Sequence, residues 1–219
     1  MTNPLPERSW PSRIRTAGRV AVSGVRSLFG SSPSDDWLKR WLPVVAPLAR
    51  QGVVLELGCG RGEDTALLCD AGLNVCAVDL SVKWLELARG RAPKATFHCQ
   101  DLRDPFPIAQ TNVVIASLSL HYFDWAQTLQ IIGRIQATLT PGGILLCRLN
   151  STRDTHFGAR GHEEIEPDFY RVNGQTKRFF NEPAIRAAFD GWKVRHIEEC
   201  LSYRYVLPKH VWEVVLERP

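Results

Sequence analysis

One acid and three glycines stand between a predicted strand and a predicted helix, in the run Val53-Val54-Leu55-Glu56-Leu57-Gly58-Cys59-Gly60-Arg61-Gly62. Glycine at alternate positions permits a sharp backbone turn at positive φ and lets a ligand lie against the main chain. The spacing differs from the Gly-x-Gly-x-x-Gly turn that places a pyrophosphate at a helix N-terminus. Because Glu56 precedes the glycines, the pattern favours a ligand carrying an ammonium group over one carrying phosphates.

A second acid, Asp79, ends the next predicted strand, 17 residues beyond Gly62. A carboxylate there lies beside the glycine turn at the carboxyl edge of a parallel sheet, where it can accept both hydroxyls of a ribose. The alternative is that Asp79 caps the helix that follows, although Ser81 can fill that position. We therefore interpret Asp79 as a ribose ligand.

The elements that would position these acids alternate between short β-branched runs and helix-compatible stretches. Such alternation indicates a parallel sheet covered by helices, and strands buried on both faces lack period-two patterning. With right-handed crossovers, the sequence predicts an α/β fold with a doubly wound, mostly parallel, seven-stranded sheet. Its first five predicted strands are Val53–Leu57, Asn74–Val78, Ala95–Cys99, Val113–Ser117 and Ile144–Leu149.

The composition and hydrophobic pattern of the sequence change after Asn150. Residues 151–180 are polar and irregular, and they include Asn173-Gly174 between strand-forming residues, which is a strong hairpin signal. Loops at the carboxyl edge of such sheets commonly shape the substrate site, so residues 151–180 are predicted to form a lid. The later predicted elements are a hairpin with strands at Phe169–Val172 and Gln175–Phe180, a helix at Glu182–Phe189, and strands at Lys193–Cys200 and Val211–Glu217.

The first 34 residues form a separate basic extension. They hold five arginines against one acid, whereas the remaining 22 basic and 22 acidic residues cancel. Apolar residues at helical spacing between Ile14 and Leu28 fit an organelle presequence or a segment that docks on anionic surfaces, and a poorly ordered extension is the alternative. The domain proper is predicted to span residues 35–219, with Ser34 capping a first short helix that holds Trp37, Leu38, Trp41 and Leu42.

Composition excludes several classes of protein. No apolar run reaches the roughly 18–20 residues that span a bilayer. The six cysteines form no Cys-x-x-Cys pair and no zinc spacing, which favours free thiols in a reducing compartment and predicts no metal site. The expected location is the cytoplasm, and an organelle matrix stays open because of the arginine-rich N-terminus.

Four motifs in order resemble class I S-adenosylmethionine-dependent methyltransferases. They are Glu56-Leu-Gly-Cys-Gly-Arg-Gly62, Asp79-Leu-Ser, Gln100-Asp101-Leu102 and Leu139-Thr-Pro-Gly-Gly143. The likeness covers roughly residues 35–150 and implies a Rossmann-like methyltransferase fold with S-adenosylmethionine as the cofactor and S-adenosylhomocysteine as the product. The part beyond Asn150 is similar, more loosely, to small-molecule methyltransferases of the tellurite-resistance type, through Lys177-Arg-Phe-Phe180 and Phe189-Asp-Gly-Trp192.

The resemblance implies a role for each matching position. Glu56 and the loop of Gly58, Cys59, Gly60 and Gly62 would hold the methionine part of the cofactor, with Glu56 towards its ammonium. Asp79 would bind the ribose hydroxyls. The other implied cofactor residues are Leu80 on the adenine, Asp101 at the adenine amino group, Leu102 through its backbone, and Ser117 beside the sulfonium methyl, while Thr140–Gly143 would be the turn that launches the fifth strand.

Candidates for the acceptor side follow the fourth and fifth predicted strands. His121 could act as a base near neutral pH, and Tyr122 would face the methyl group with it, although both could simply wall the cofactor pocket. Arg148 and Arg178 could pair with an anionic substrate. The remaining substrate candidates are Asn150, His156 and Tyr170.

These patterns predict an enzyme that moves a methyl group to a small molecule by in-line transfer. Two alternatives stay open: a methyltransferase of RNA or protein that uses the basic extension to reach its partner, and a cofactor-binding module without turnover. A nicotinamide dehydrogenase is disfavoured by the glycine spacing. No Asn/Asp-Pro-Pro-Tyr/Phe tetrapeptide and no Pro-Cys pair follows the fourth predicted strand, so nucleic acid is possible but not favoured as a partner.

Overall fold

The strand-forming runs assemble into one large sheet in the computed structural model, which describes residues 37–50 and 52–219. The strands of this sheet are β1 (Val53–Leu57), β2 (Asn74–Asp79), β3 (Thr96–Cys99), β4 (Thr111–Ser117), β5 (Leu139–Asn150), β9 (Lys193–Ser202) and β10 (Lys209–Glu217). A smaller sheet contains β6 (Glu163–Glu166), β7 (Phe169–Val172) and β8 (Gln175–Arg178). The α-helices are α1 (Leu42–Ala49), α2 (Glu63–Asp70), α3 (Val82–Arg91), α4 (Trp125–Thr138) and α5 (Glu182–Ala188).

The large sheet has the strand order β3-β2-β1-β4-β5-β10-β9. Strands β1 to β5 pair in parallel, and β10 runs antiparallel to both β5 and β9. The order reverses between β1 and β4, which is the switch point where ligands bind in open α/β sheets. The predicted mostly parallel, seven-stranded fold is therefore confirmed.

Strand register brings the predicted motifs to one edge of the sheet. Leu57 of β1 lies beside Val78 of β2, and Ser117 of β4 lies beside Arg148 of β5. The ends of β1, β2 and β4 therefore open onto the same side. The core beneath them is apolar and includes Leu55, Val78, Ala116 and Leu146 at 0 % exposure.

The glycine turn after β1 takes a left-handed backbone at all three glycines. Gly58, Gly60 and Gly62 have φ values of 73°, 53° and 78°. The backbone N–H groups of Gly58 and Cys59 both donate to the carbonyl of Val78, at 2.8 and 3.0 Å. The turn is thus tied to the end of β2, as a ligand-binding turn between two strands requires.

Gly62 has a packing role that differs from the role implied by the sequence. It is the N-cap residue of α2, and a Cβ added to it would lie 2.9 Å from both Cα and Cβ of Ala88 in α3. Gly62 is also absent from the walls of the cavity described below. The residue allows α2 and α3 to approach closely and does not touch the ligand space.

We expect Gly62→Ala to destabilise the fold by about 2–4 kcal/mol, because overpacking against Ala88 adds to the cost of a left-handed alanine. Gly72→Ala is the matched control: Gly72 has φ 80° and no atom within 4 Å of an added Cβ, so only the backbone cost of about 1–2 kcal/mol applies. Urea unfolding of the two variants measures the difference. Equal losses at the two sites would contradict the packing role of Gly62.

The start of β5 differs from the predicted turn at Thr140–Gly143. This segment lies inside β5, where three extra residues separate the pairs Thr111–Leu139 and Val113–Ile144. A Cβ on Gly143 would lie 2.9 Å from the carbonyl oxygen of Thr140 and 3.0 Å from that of Asn112. The glycine therefore permits an irregular start to the strand, well away from the ligand edge.

The segment after β5 contains the predicted hairpin and one strand that the sequence did not reveal. Asn173 and Gly174 both have positive φ, 51° and 79°, as a tight two-residue hairpin turn requires. The additional strand is β6, whose sequence Glu-Glu-Ile-Glu is charged and largely exposed. Its pairing with β7 comes from tertiary contacts and not from strand propensity.

The N-terminal part of the described chain begins with Trp37 and Leu38, ahead of a 3-10 turn at Lys39–Trp41 and then α1. The predicted first helix therefore starts later than expected. Its proposed cap Ser34 and the predicted helical spacing between Ile14 and Leu28 lie outside the described residues. No helix in the described part of the chain is long and apolar enough to cross a bilayer. All six cysteines are free, as predicted.

Candidate active site

A cavity of about 1040 Å³ opens at the carboxyl edge of the sheet, above the switch point between β1 and β4. Most of the predicted cofactor residues line it: Glu56, Gly58, Cys59, Gly60, Asp79, Leu80, Asp101, Leu102 and Ser117. Tyr122 and Arg148 line it as well. The predicted residues outside its walls are Gly62, His121, Asn150, His156, Tyr170 and Arg178.

Glu56 is a buried carboxyl group at the end of β1, with 3 % of its surface exposed. The Thr65 hydroxyl donates to it at 2.5 Å. Burial, and after it the charge of Asp64 on α2, raises the pKa of Glu56 to about 8. A cationic ligand stabilises the ionised form of such a buried carboxyl group, because the positive charge of an ammonium compensates for the water that burial removes.

Asp79 holds the glycine turn in place. Its carboxylate accepts the N–H of Gly60 at 2.8 Å through one oxygen and the N–H of Ser81 at 2.8 Å through the other. A carboxylate has about four acceptor positions, so both oxygens can also accept hydroxyl groups. Ser81 caps α3 by accepting from the N–H of Trp84, as predicted, which leaves Asp79 to face the cavity.

The far end of the cavity offers an apolar surface beside a carboxylate, which suits a nucleobase. Leu80 is 67 % exposed and lies with Trp84 on the wall. Asp101 faces the cavity while Arg103 donates to both of its carboxylate oxygens, which lowers the pKa of Asp101. An adenine amino group would therefore share this carboxylate with Arg103.

The loop after β4 combines backbone strain with an unpaired hydroxyl. Leu118 has φ 53°, which is unusual for a leucine and is typical of functional sites. The Ser119 hydroxyl is buried, lies on the cavity wall, and has no hydrogen-bond partner among the described residues. A Cβ on Gly58 would lie 2.4 Å from Ser119 Cβ, so the glycine lets the two loops meet. Sequence reasoning missed Ser119, since no motif marks it.

Of the two adjacent side chains predicted to be catalytic, whose ring centroids lie 4.1 Å apart, Tyr122 lines the cavity and His121 does not. Tyr122 lies on the cavity wall, where burial raises its pKa, so its hydroxyl is a hydrogen-bond donor at neutral pH. His121 is 5 % exposed and lies behind the wall. Burial, with Lys209 and Lys177 nearby, lowers its pKa to about 3. A neutral, enclosed imidazole of that pKa is a poor proton acceptor, so the geometry argues against His121 as the base.

Among the substrate candidates, Arg148 alone reaches the cavity. It is 2 % exposed, donates from Nε to the Ser117 hydroxyl at 2.9 Å, and stacks on Trp37 with 4.6 Å between guanidinium carbon and ring centroid. Asn150 is buried and donates to the carbonyl of Arg178. His156 is exposed in a 3-10 turn, and Tyr170 packs on the smaller sheet.

Arg178 connects elements behind the site and does not face the cavity. It forms an ion pair with Glu166, donates to the carbonyl of Phe123 at 3.2 Å, and lies over the Phe169 ring. Burial lowers its pKa to about 10. These contacts hold the hairpin of the smaller sheet against the start of α4. They explain why Arg178 is buried although it does not face the cavity.

The loop between β9 and β10 contributes a wall that the sequence did not predict. Arg204 and Tyr205 both line the cavity, and Arg204 pairs with Glu63 at 2.9 Å. At the root of this loop, Lys209 pairs with the fully buried Asp154 at 2.5 Å. No motif or periodic pattern marks the loop, because its position depends on the pairing of the last two strands.

The residues present fit S-adenosylmethionine. Acidic groups at Glu56 and Asp79 suit an ammonium and a ribose, and the left-handed Gly60 leaves open space where a Cβ would project. In the described part of the chain, the buried Ser119 hydroxyl has no hydrogen-bond partner. No group of three or more metal-ligating side chains occurs within residues 37–50 and 52–219. Fold and site together define an α/β domain built to hold a cationic nucleoside cofactor.

The comparison with protein families agrees with that class. Residues 54–143 match the family described as "Methyltransferase domain". This match supports a class I S-adenosylmethionine-dependent methyltransferase, as the four sequence motifs imply. Trans-aconitate 2-methyltransferase of Delftia acidovorans is 34 % identical over 112 residues, which are 49 % of this chain and 41 % of that protein. A putative methyltransferase of Bacillus subtilis is 33 % identical over 134 residues, covering 57 % and 52 %. The chain thus spans about half the length of the curated relatives it matches.

Solved structures agree in fold. A S-adenosylmethionine-dependent methyltransferase from Methanosarcina mazei superposes with a TM-score of 0.66 at 15 % identity, over 80 % of this chain and 97 % of that one. The 1,6-didemethyltoxoflavin-N1-methyltransferase of Burkholderia thailandensis, solved with 1,6-didemethyltoxoflavin and S-adenosylhomocysteine, superposes with a TM-score of 0.59 at 23 % identity, over 80 % of this chain and 76 % of that one. The Rossmann-like methyltransferase fold is confirmed, while the looser tellurite-resistance likeness stays a prediction.

Proposed function

We propose that this protein transfers a methyl group from S-adenosylmethionine to a small molecule. The observation that carries the proposal is the pair of carboxyl groups, Glu56 and Asp79, held at the ends of neighbouring strands around one glycine turn. Glu56 would bind the ammonium and Asp79 the ribose hydroxyls. Leu80 and Asp101 would take the adenine end, and Ser117 would lie beside the methyl group.

When bound, the cofactor supplies an activated methyl group on a sulfonium. The chain's own task is then to align the acceptor and to exclude water, which contributes several kcal/mol to such reactions. Tyr122 can donate a hydrogen bond to the acceptor, and the rings of Phe123, Phe169 and Tyr205 on the same walls exclude water.

Arg148 favours an acidic acceptor within this class. Its guanidinium is a buried cation on the cavity wall beside Ser117, the residue assigned to the methyl group. A carboxylate acceptor would meet a favourable charge there and would need no base, since it is ionised at neutral pH. Trans-aconitate, the substrate in the name of the relative from Delftia acidovorans, is an acid of this kind.

The proposal is tested by supplying S-adenosylmethionine with a labelled methyl group to the full chain and a cell extract divided into small molecules, RNA and protein. We expect label in the small-molecule fraction, and a preference for acids when that fraction is separated by anion exchange. Label in RNA or protein would support the alternative in which the basic segment of residues 1–34 guides the enzyme to a macromolecule. Binding without any transfer would indicate a cofactor-binding module.

A further inference from the structure

Trp37 joins two charged groups that belong to different walls of the cavity. Its side chain is 3 % exposed, and its indole N–H donates to both carboxylate oxygens of Asp64, at 3.0 and 3.2 Å. The face of the same ring receives the guanidinium of Arg148 at 4.6 Å. Asp64 and Arg148 both line the cavity, whereas Trp37 lies behind them.

Asp64 connects this tryptophan to the proposed cofactor ligand. It lies in the first turn of α2, directly after the glycine turn, and its charge acts on Glu56. Asp64 thus shares the acidic end of the cavity with the group assigned to the ammonium. A hydrogen bond donated to one of two nearby carboxylates weakens the repulsion that the other one feels.

We propose that Trp37 is a positioning residue for cofactor binding: its indole N–H holds and partly offsets the Asp64 carboxylate, so that Glu56 ionises and accepts the cofactor's ammonium. The inference rests on the proposed function, because it assigns Glu56 to that ammonium. Trp37 touches neither cofactor nor acceptor and acts through Asp64. From the sequence, Trp37 is predicted only to lie in a short helix.

Whether a substitution raises or lowers the pKa of Glu56 depends on the groups that face the carboxylates of Glu56 and Asp64. Around Glu56, burial dominates, the charges of Asp64, Asp79 and Glu63 raise its pKa, and the hydrogen bond from Thr65 lowers it. Asp64 faces the indole of Trp37 and the positive charge of Arg204. Loss of the indole N–H removes a favourable partner of Asp64 and so raises the pKa of Glu56, whereas loss of the Asp64 charge lowers it. The further groups whose titration depends on Glu56 are the thiols of Cys59 and Cys69.

The test measures the affinity of the full chain for S-adenosylhomocysteine by calorimetry across pH 6 to 9. In the wild type, affinity rises with pH as Glu56 ionises. Trp37→Phe keeps an aromatic face for Arg148 but lacks the N–H, and we expect it to move this rise upward by a few tenths of a pH unit. Asp64→Asn should move the rise downward. In the Asp64→Asn background, Trp37→Phe should cause little further shift, because the neutral amide leaves no charge for the indole N–H to offset.

Trp41→Phe is the matched control. Trp41 is also 3 % exposed, and its indole N–H also donates to a buried carboxylate, that of Glu213 at 3.5 Å, outside the cavity. We expect its affinity profile to follow the wild type. A Trp37→Phe profile that is lowered equally at every pH, or that shifts equally in both backgrounds, would show a purely structural residue and overturn the inference.

The wild-type chain provides a measurement that does not depend on the folding of a variant. The isotope-labelled indole N–H resonance of Trp37 should move as Glu56 titrates and move again when S-adenosylhomocysteine is added. A resonance that ignores both changes would overturn the inference, while binding itself would leave the proposed function intact. A wild type that does not bind at any pH would overturn both.

Discussion

Glu56→Gln should weaken binding of S-adenosylhomocysteine by about 30-fold or more and should at the same time stabilise the ligand-free protein at pH 8. Removing one partner of a buried charge pair costs about 2–5 kcal/mol of binding energy. The glutamine is nearly isosteric and its carbonyl oxygen can still accept the Thr65 hydroxyl, so the local structure is preserved. The variant therefore separates the charge of Glu56 from its shape.

The gain in stability follows from the direction of the pKa shift. In the folded protein the pKa of Glu56 is raised from 4.5 to about 8, chiefly by burial. The folded state thus binds more protons than the unfolded state between these values, and the wild-type free energy of unfolding falls as pH rises through this window, by at most about 1.4 kcal/mol per pH unit. Glu56→Gln lacks this contribution, so its unfolding free energy should depend less on pH.

Urea unfolding at pH 5 and pH 8, together with calorimetric titration, measures both effects. Glu213→Gln is the matched control, because Glu213 is a buried glutamate on β10 at 4 % exposure and lies outside the cavity. Its substitution should leave cofactor affinity unchanged. A Glu56→Gln variant that binds as tightly as the wild type would remove Glu56 from the ammonium site.

Asp79→Ala should lower affinity for S-adenosylhomocysteine by about 100-fold or more while the fold is retained. Two ribose hydroxyls lose a charged acceptor, and hydrogen bonds to charged groups contribute about 1.5–3 kcal/mol each. The Gly60 N–H also loses its partner, so the glycine turn becomes less ordered before the ligand arrives. Calorimetry gives the affinity, and circular dichroism checks the fold.

Asp70→Ala is the control for this substitution, because Asp70 is an exposed acid at the end of α2 and does not line the cavity. It should bind as the wild type does. Removing the ribose instead of the carboxylate gives an independent check, since methionine alone should lose only the small part of its affinity that depends on the ordered glycine turn, and much less than S-adenosylhomocysteine loses. Unchanged nucleoside binding by Asp79→Ala would contradict the ribose assignment.

The parts of the fold that local sequence determines were predictable. Strand β1 has the predicted bounds, because an apolar run ends in glycines that cannot continue it. The turn at Asn173-Gly174 was predictable because both positions need positive φ. Strand β6 was not, because Glu163–Glu166 has no strand propensity and pairs only once the hairpin beside it has formed.

The residues of the candidate site also fall into those that local sequence predicts and those that depend on the complete fold. Residues in the motifs at the strand ends, such as Glu56 and Asp79, reach the cavity because strand and register place them there. Arg178 was predicted as a substrate ligand and is instead enclosed by Glu166 and two aromatic rings, which no local pattern reveals. Trp37 is distant in sequence from Asp64 and Arg148, so its contacts depend on the complete fold.

We propose that the cavity at the switch point binds S-adenosylmethionine and its product. Calorimetric titration of the full chain with S-adenosylhomocysteine, with NAD as the comparison ligand, tests it most directly. We expect micromolar binding of S-adenosylhomocysteine that strengthens between pH 6 and pH 8, and no binding of NAD. Absence of S-adenosylhomocysteine binding, or a preference for NAD, would contradict the roles given to Glu56 and Asp79.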